Sequence, residues 1–166
     1  ENKVQEAVHK WTDFLALRND LRLHMVGNVQ TNKVEQVVKI FSYVHSLDSE
    51  KLADKFSLFQ SKLNKQLKYF IQVNFDNEKQ KSGISVNLVD DFIKFTRSDL
   101  GLDVIGLMCI PPLNQNPTPF FLLLKKIADK NKLKELSMGM SNDYREGISS
   151  GATFIRIGSS IFGQRN

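Results

Sequence analysis

The sequence has few or none of the residues and patterns on which several protein classes depend. It contains one cysteine, Cys109, among 166 residues, so no internal disulfide bond can form. No run of about 18 apolar residues occurs, so no membrane-spanning helix is predicted. A single cysteine fits a reducing compartment. We therefore expect a cytoplasmic protein without a membrane segment.

The patterns of common catalytic and metal sites are missing as well. His9 and His45 have no partners at a metal-ligand spacing and Cys109 stands alone, so we predict no metal site. His24 lies inside a predicted strand and is interpreted as a hydrogen-bonded structural group. No Gly-x-Gly-x-x-Gly pattern follows any strand, which removes support for a dinucleotide-binding fold. No Ser-His-Asp or Cys-His arrangement is recognisable in the sequence. Asp90 and Asp91 fit the solvent side of a helix better than an acid–base pair.

The chain has a positive net charge of +5, which raises the alternative of a nucleic-acid-binding protein. Its clearest lysine cluster lies between positions 125 and 134. Aromatic residues do not interleave this cluster, as they would in a protein that binds single strands. A solvated helix face is the favoured interpretation, and nucleic-acid binding is retained as a weaker hypothesis. The clustered lysines are Lys125, Lys126, Lys130, Lys132 and Lys134.

Apolar runs alternate with helical patterns along the whole chain. Strands are predicted at residues 23–26, 43–47, 69–75, 104–110, 136–138 and 154–157. Apolar residues recur at helical spacing between them, with Ser49 as a predicted N-cap and Ser85 as the start of another helix. Strands separated by single helices indicate parallel βαβ units in one domain over residues 1–166. This pattern alone fits either a doubly wound sheet or a (β/α) barrel.

The most informative segment is residues 136–165, LSMGMSNDYREGISSGATFIRIGSSIFGQR. It predicts a strand, a helix that starts with Ser141 as its N-cap and ends at Gly151, a second strand, and a turn that begins at Gly158 and Ser159. Two strand-to-helix turns that present free N–H groups and hydroxyls are suited to a phosphate. Arg156 lies inside the strand that leads into the second turn.

This segment resembles the C-terminal end of the pyridoxal phosphate homeostasis proteins, also called the proline synthase co-transcribed homologue family. Residues 23–33, LHMVGNVQTNK, resemble that family's aromatic-His-Phe/Met-Ile/Val-Gly-x-Leu/Val-Gln-x-Asn-Lys signature and depart from it at Leu23. The opening run ENKVQE is similar to the family's Gly-Glu-Asn-x-x-Gln-Glu run. The three blocks keep the family's order and spacing, so the resemblance covers essentially the whole chain.

The resemblance implies a (β/α)8 TIM barrel of the alanine racemase N-terminal type. Six strands are predicted here, and the family places two more before the Gly-Glu-Asn run, so we expect a barrel that lacks its first two strands. The family's Schiff-base lysine belongs to that earlier part and has no counterpart in this sequence. Either the sequence is a piece of a longer protein or it is a truncated product. Lys33 and Lys81 follow predicted strands, but solvated loop lysines are poor substitutes.

The resemblance also implies the residues that bind pyridoxal 5′-phosphate. Ser141, Gly158 and Ser159 would hold the phosphate, and Arg156 would lie against the pyridine nitrogen. Met140 would pack beside the cofactor, and Asn2 matches a family asparagine near the ring. These six residues, Asn2, Met140, Ser141, Arg156, Gly158 and Ser159, are the predicted cofactor-binding residues.

The predicted function is a non-catalytic pyridoxal phosphate-binding protein of intracellular vitamin B6 homeostasis. Its partners would be the cofactor and the apoenzymes that depend on it, and the sequence does not indicate an oligomeric state. The alternative is an amino-acid racemase on the same barrel. A racemase needs a second base, typically a tyrosine, and Tyr43, Tyr69 and Tyr144 have no obvious placement for that role.

Overall fold

A computed structural model gives the fold of the chain and describes residues 1–18, 20–75 and 82–163. The strands are β1 (His24–Met25), β2 (Tyr43–Leu47), β3 (Lys68–Asn74), β4 (Ile84–Ser85), β5 (Asp103–Cys109), β6 (Glu135–Met140) and β7 (Phe154–Arg156). The α-helices are α1 (Val4–Leu17), α2 (Val34–Ile40), α3 (Glu50–Leu63), α4 (Val89–Lys94), α5 (Thr118–Lys130), α6 (Tyr144–Ser149) and α7 (Ser159–Phe162).

The strands form one parallel sheet in the order β1-β2-β3-β5-β6-β7, and β4 pairs with the end of β3. A helix lies between consecutive members of the main sheet, as βαβ units require. The order follows the chain without reversal, which excludes a doubly wound sheet and agrees with the predicted barrel topology. Within the described residues, β1 and β7 are the two edge strands.

The sequence prediction differs from the structure at β4. Ser85 was predicted to start a helix. It ends β4 and is the N-cap residue of a 3₁₀ turn over Val86–Leu88, which precedes α4. The sheet therefore has a seventh strand beyond the six predicted. Two residues are too few to show an alternating pattern, and the strand exists because Ile84 and Ser85 pair with Val73 and Asn74.

The main core lies between the sheet and the helices. On β3, Tyr69, Ile71 and Val73 point into this layer and are almost completely buried, while Phe70 and Gln72 alternate toward the barrel interior. The nearly continuous apolar sequence of β3 follows from this burial on both faces. None of the helices in the described residues is long and apolar enough to cross a membrane.

Candidate functional site

A cavity of about 550 Å³ opens where β5, β6 and β7 end. Active sites of (β/α) barrels form at this carboxyl end, from the loops that follow the strands. The loop after β5 forms one wall, and the turns after β6 and β7 form the other. The lining residues are Pro111, Pro112, Leu113, Asn114, Gln115, Pro117, Met140, Ser141, Asn142, Asp143, Glu146, Arg156, Gly158 and Ser159.

Arg156 is held by backbone carbonyls at the end of β7. Its Nη1 donates to the Ser137 carbonyl oxygen at 2.7 Å and to Ser137 Oγ at 2.8 Å, and its Nη2 donates to the Cys109 carbonyl oxygen at 2.8 Å. The guanidinium thus bridges β7 to both β6 and β5. These bonds use three of its five N–H donors. Arg156 also lines the cavity, and these bonds leave two of its N–H donors unused.

Arg156 forms no ion pair within the part of the chain that the structure describes. Burial lowers the pKa of the guanidinium, but an arginine stays protonated in proteins. No carboxylate among residues 1–18, 20–75 and 82–163 forms a salt bridge with it. Among the described residues, the direct hydrogen bonds of this half-buried cation go to carbonyl and hydroxyl oxygens, and the Asp143 carboxylate acts on it without a salt bridge. This arrangement favours a ligand with an acceptor atom at Arg156.

Ser141 does not have the position predicted for it. Helix α6 begins at Tyr144 with Asp143 as its N-cap residue, because Asp143 closes the turn after β6 by accepting the Met140 N–H at 2.6 Å. Ser141 instead reaches the neighbouring turn, where its Oγ accepts the Gly158 and Ser160 N–H groups, each at 3.3 Å. Ser141 therefore connects the two turns that the sequence predicted as a phosphate cradle.

Gly158 leaves space in this cradle. A Cβ atom at this position would meet no atom within 4 Å, and its φ of −123° is accessible to other residues. Within the described residues, neither packing nor a positive φ therefore requires a glycine here. Gly139 is different, since its φ of 91° requires a residue that tolerates positive φ at the end of β6.

The structure brings five of the six predicted residues to one cavity: Met140, Ser141, Arg156, Gly158 and Ser159. Asn2 is not among the lining residues. Its backbone lies against Gly27, just after β1, where an added Cβ on Gly27 would be 2.0 Å from the Asn2 oxygen. Lys33 lies in a 3₁₀ turn and does not line the cavity either. Lys81 lies outside the described residues.

Sequence reasoning missed the groups that support Arg156. Ser137 is fully buried, and the strand period of two places its side chain opposite to those of Leu136 and Met138. That polar residue in a buried strand was an available signal. The contribution of Cys109 is its carbonyl oxygen, which no side-chain pattern reveals. Its thiol is buried, and burial raises the thiol pKa to about 12.

Comparison with known proteins decides the family. The sequence profile described as "Alanine racemase, N-terminal domain" matches residues 1–166. The pyridoxal phosphate homeostasis protein of Aquifex aeolicus is 36% identical over 99% of this chain and 75% of its own length. The chain belongs to the pyridoxal phosphate homeostasis protein family. The human member of this family is 34% identical over 100% of this chain and 67% of its own length.

Solved structures of the family agree with the fold. PipY of Synechococcus elongatus PCC7942 without the cofactor superposes with a TM-score of 0.88 at 32% identity, over 98% of this chain and 80% of that one. PipY with pyridoxal phosphate bound gives a TM-score of 0.83 at 29% identity, with the same coverage. The predicted family and the alanine racemase-type barrel fold are thereby confirmed.

Proposed function

We propose that this chain binds pyridoxal 5′-phosphate in the cavity at the ends of β5–β7 and holds it without catalysis, as part of intracellular cofactor homeostasis. The observation that carries the proposal is the placement of Arg156 and the Ser141–Gly158 cradle on the same cavity. A related chain, PipY, has been solved with this cofactor bound. The named relatives are pyridoxal phosphate homeostasis proteins.

The cradle suits the phosphate end of the cofactor. The N–H groups of Gly158 and Ser160 point at Ser141 Oγ over 3.3 Å, longer than the usual 2.9–3.0 Å for such bonds. A phosphate oxygen would accept these N–H groups more strongly than a neutral hydroxyl does, because the bond would be charge-assisted. The space beside Gly158 allows an oxygen to approach the backbone closely. Ser141 and Ser159 would add hydroxyl donors.

Arg156 suits the ring end. A guanidinium donates but does not accept, so it would pair with an unprotonated pyridine nitrogen. Bound pyridoxal phosphate is an effective electron sink for carbanion chemistry when its ring nitrogen is protonated. Arg156 would keep that nitrogen neutral. Its three hydrogen bonds to Ser137 and Cys109 fix the guanidinium in place. Because a neutral ring is a poorer electron sink, this arrangement favours holding the cofactor over using it in catalysis.

A racemase on the same barrel is the second candidate function. It requires a second base at the cavity, and none of the chain's three tyrosines lines it. Tyr43 stacks on His24 with ring centroids 4.1 Å apart. Tyr69 is fully buried and donates its hydroxyl to Gln60 Oε1 at 2.9 Å. The non-catalytic role is therefore preferred, and a racemase assay with alanine should show no turnover.

We also propose that the protein works in the cytoplasm and delivers the cofactor to apoenzymes that depend on it. The single, buried Cys109 fits a reducing compartment. Two residues that line the cavity, Leu113 and Ser159, are exposed, so a bound cofactor would lie near solvent.

A titration with pyridoxal phosphate, followed by absorbance and fluorescence, tests the binding site. Arg156→Ala should weaken binding by about tenfold to a hundredfold, the loss of one or two charge-assisted hydrogen bonds, and should shift the cofactor absorbance. Arg145→Ala is the matched control, because Arg145 is exposed on α6 and does not line the cavity. Equal affinity and equal spectra for both variants would remove Arg156 from the site.

A further inference from the structure

A chain of side-chain hydrogen bonds crosses the barrel interior and ends at Arg156. His24 Nδ1 on β1 lies 2.9 Å from His45 Nε2 on β2, and His45 Nδ1 lies 2.8 Å from Ser137 Oγ on β6. Ser137 Oγ then accepts Arg156 Nη1 at 2.8 Å. His45 is 2% exposed and Ser137 is 0% exposed. Neither histidine lines the cavity, so neither has a part in the binding site as described above.

The direction of the hydrogen bonds follows from Arg156. A guanidinium only donates, so Ser137 Oγ accepts from it and must send its own proton elsewhere. Among the described residues, the other polar atom bonded to this oxygen is His45 Nδ1. Ser137 therefore donates to Nδ1, which leaves the proton of a neutral His45 on Nε2. That proton is donated to His24 Nδ1.

Packing holds the two imidazole rings in this arrangement. The His45 ring stacks on Phe70 with centroids 4.3 Å apart and planes at 17°. The His24 ring stacks on Tyr43 at 4.1 Å and 3°. A ring clamped in this way presents its Nδ1 lone pair in one direction, which fixes the rotamer of the Ser137 hydroxyl.

We propose that His45 is a positioning residue for Arg156 and acts on it through Ser137. In this role it never touches the ligand; it orients the Ser137 hydroxyl so that the oxygen lone pair faces the guanidinium. The consequence for the ring of pyridoxal phosphate rests on the proposed function, because it requires that Arg156 holds that ring. The orientation of Arg156 itself does not depend on a ligand.

The electrostatic surroundings keep His45 in the required form. Burial, which has the largest effect, together with the neighbouring His24 and Arg156, lowers the pKa of His45 to about 3. His45 is thus neutral at physiological pH, with Nδ1 free to accept. A protonated ring would lose this acceptor and would place a second cation beside Arg156.

Two variants test the roles of the two imidazole nitrogens of His45 separately. The amide oxygen of His45→Asn can replace Nδ1 as the acceptor for Ser137, while the longer His45→Gln places its amide near the position of Nε2. Proton and nitrogen NMR of the uniformly labelled chain without ligand is the first readout. We expect slowly exchanging guanidinium protons of Arg156 and a neutral Nε2–H tautomer of His45 in the wild type. The slow guanidinium protons should persist in His45→Asn and disappear in His45→Gln.

Titration with pyridoxal phosphate is the second readout. We expect about tenfold weaker binding and an altered cofactor absorbance for His45→Gln, as when one charge-assisted hydrogen bond is weakened, and a change within about twofold for His45→Asn. If His45→Gln does not fold, Ser137→Ala replaces it, with Ser137→Thr as the variant that keeps the hydroxyl. Ser137→Ala should then show the same loss.

The outcomes separate this inference from the proposed function. Guanidinium protons that are as protected in His45→Gln or Ser137→Ala as in the wild type would overturn the positioning role, whatever the chain binds. Equal losses in His45→Asn and His45→Gln would also overturn it, since they would indicate a merely structural histidine. A wild-type chain with the predicted NMR signals that fails to bind pyridoxal phosphate would refute the proposed function and leave the positioning of Arg156 supported.

Discussion

Gly158→Ala should separate binding from folding more cleanly than any other change at this site. The added methyl group meets no atom within 4 Å, and the backbone φ of −123° does not require glycine. Stability should therefore change by no more than about 0.5 kcal/mol, as for other surface substitutions without a structural cost. The methyl group would, however, fill the space beside the Gly158 and Ser160 N–H groups, into which we place the phosphate.

The expected loss of affinity follows from the hydrogen bonds at stake. A hydrogen bond to a charged group contributes about 1.5–3 kcal/mol, so losing one from the phosphate should weaken pyridoxal phosphate binding by about tenfold to a hundredfold. Fluorescence titration would give the affinity, and urea denaturation followed by circular dichroism would give the free energy of unfolding.

Gly106→Ala is the control, because this substitution should destabilise the fold, which Gly158→Ala should leave intact. A Cβ at Gly106 on β5 would lie 2.0 Å from the Glu135 carbonyl oxygen, so this change should destabilise the fold by at least about 1–3 kcal/mol. A Gly158→Ala variant that binds pyridoxal phosphate as tightly as the wild type would refute the phosphate cradle. A Gly158→Ala variant that unfolds as readily as Gly106→Ala would show that the folded chain has no room for a methyl group at this position.

Two further predictions concern pH and the lysines. His45 has a folded-state pKa of about 3, below its ordinary value of 6.5, so the unfolded chain binds more protons between these values. The contribution of neutral His45 to the free energy of unfolding should be fully present above about pH 6.5. Below that pH the free energy of unfolding should fall by up to about 1.4 kcal/mol per pH unit. Urea titrations of His45→Asn should show a smaller dependence on pH. Borohydride reduction with pyridoxal phosphate and peptide mapping should give no stoichiometric adduct at Lys33 or Lys81. A stoichiometric adduct at either would contradict the sequence-based prediction that neither lysine substitutes for the family's Schiff-base lysine.

Most strands of the sheet could be predicted from the sequence because they are apolar runs separated by helical patterns. The predicted strand at 43–47 coincides with β2, and the strands predicted at 69–75 and 104–110 differ from β3 and β5 by one residue at each end. β1 is two residues shorter than predicted, and β4 was missed, because pairing with neighbours rather than local pattern determines such short strands.

The sequence predicted where the site lies, but not the hydrogen bonds that its residues form. Residues that follow parallel strands meet at one end of a barrel, so Ser141 and Gly158 were expected to be neighbours. Sequence did not reveal that Ser141 bonds to the turn after β7 instead of capping α6, because that choice depends on Asp143 closing its own turn. The link between His45 and Ser137 spans 92 residues, and no local pattern encodes such a contact.

A crystal structure of this chain with pyridoxal 5′-phosphate would test the central proposal most directly. We predict the phosphate at the N–H groups of Gly158 and Ser160, beside Ser141, with the pyridine nitrogen within hydrogen-bond distance of the Arg156 guanidinium. A cofactor bound elsewhere on the chain, or one in this cavity with its phosphate at Arg156 and its ring away from it, would contradict the proposal.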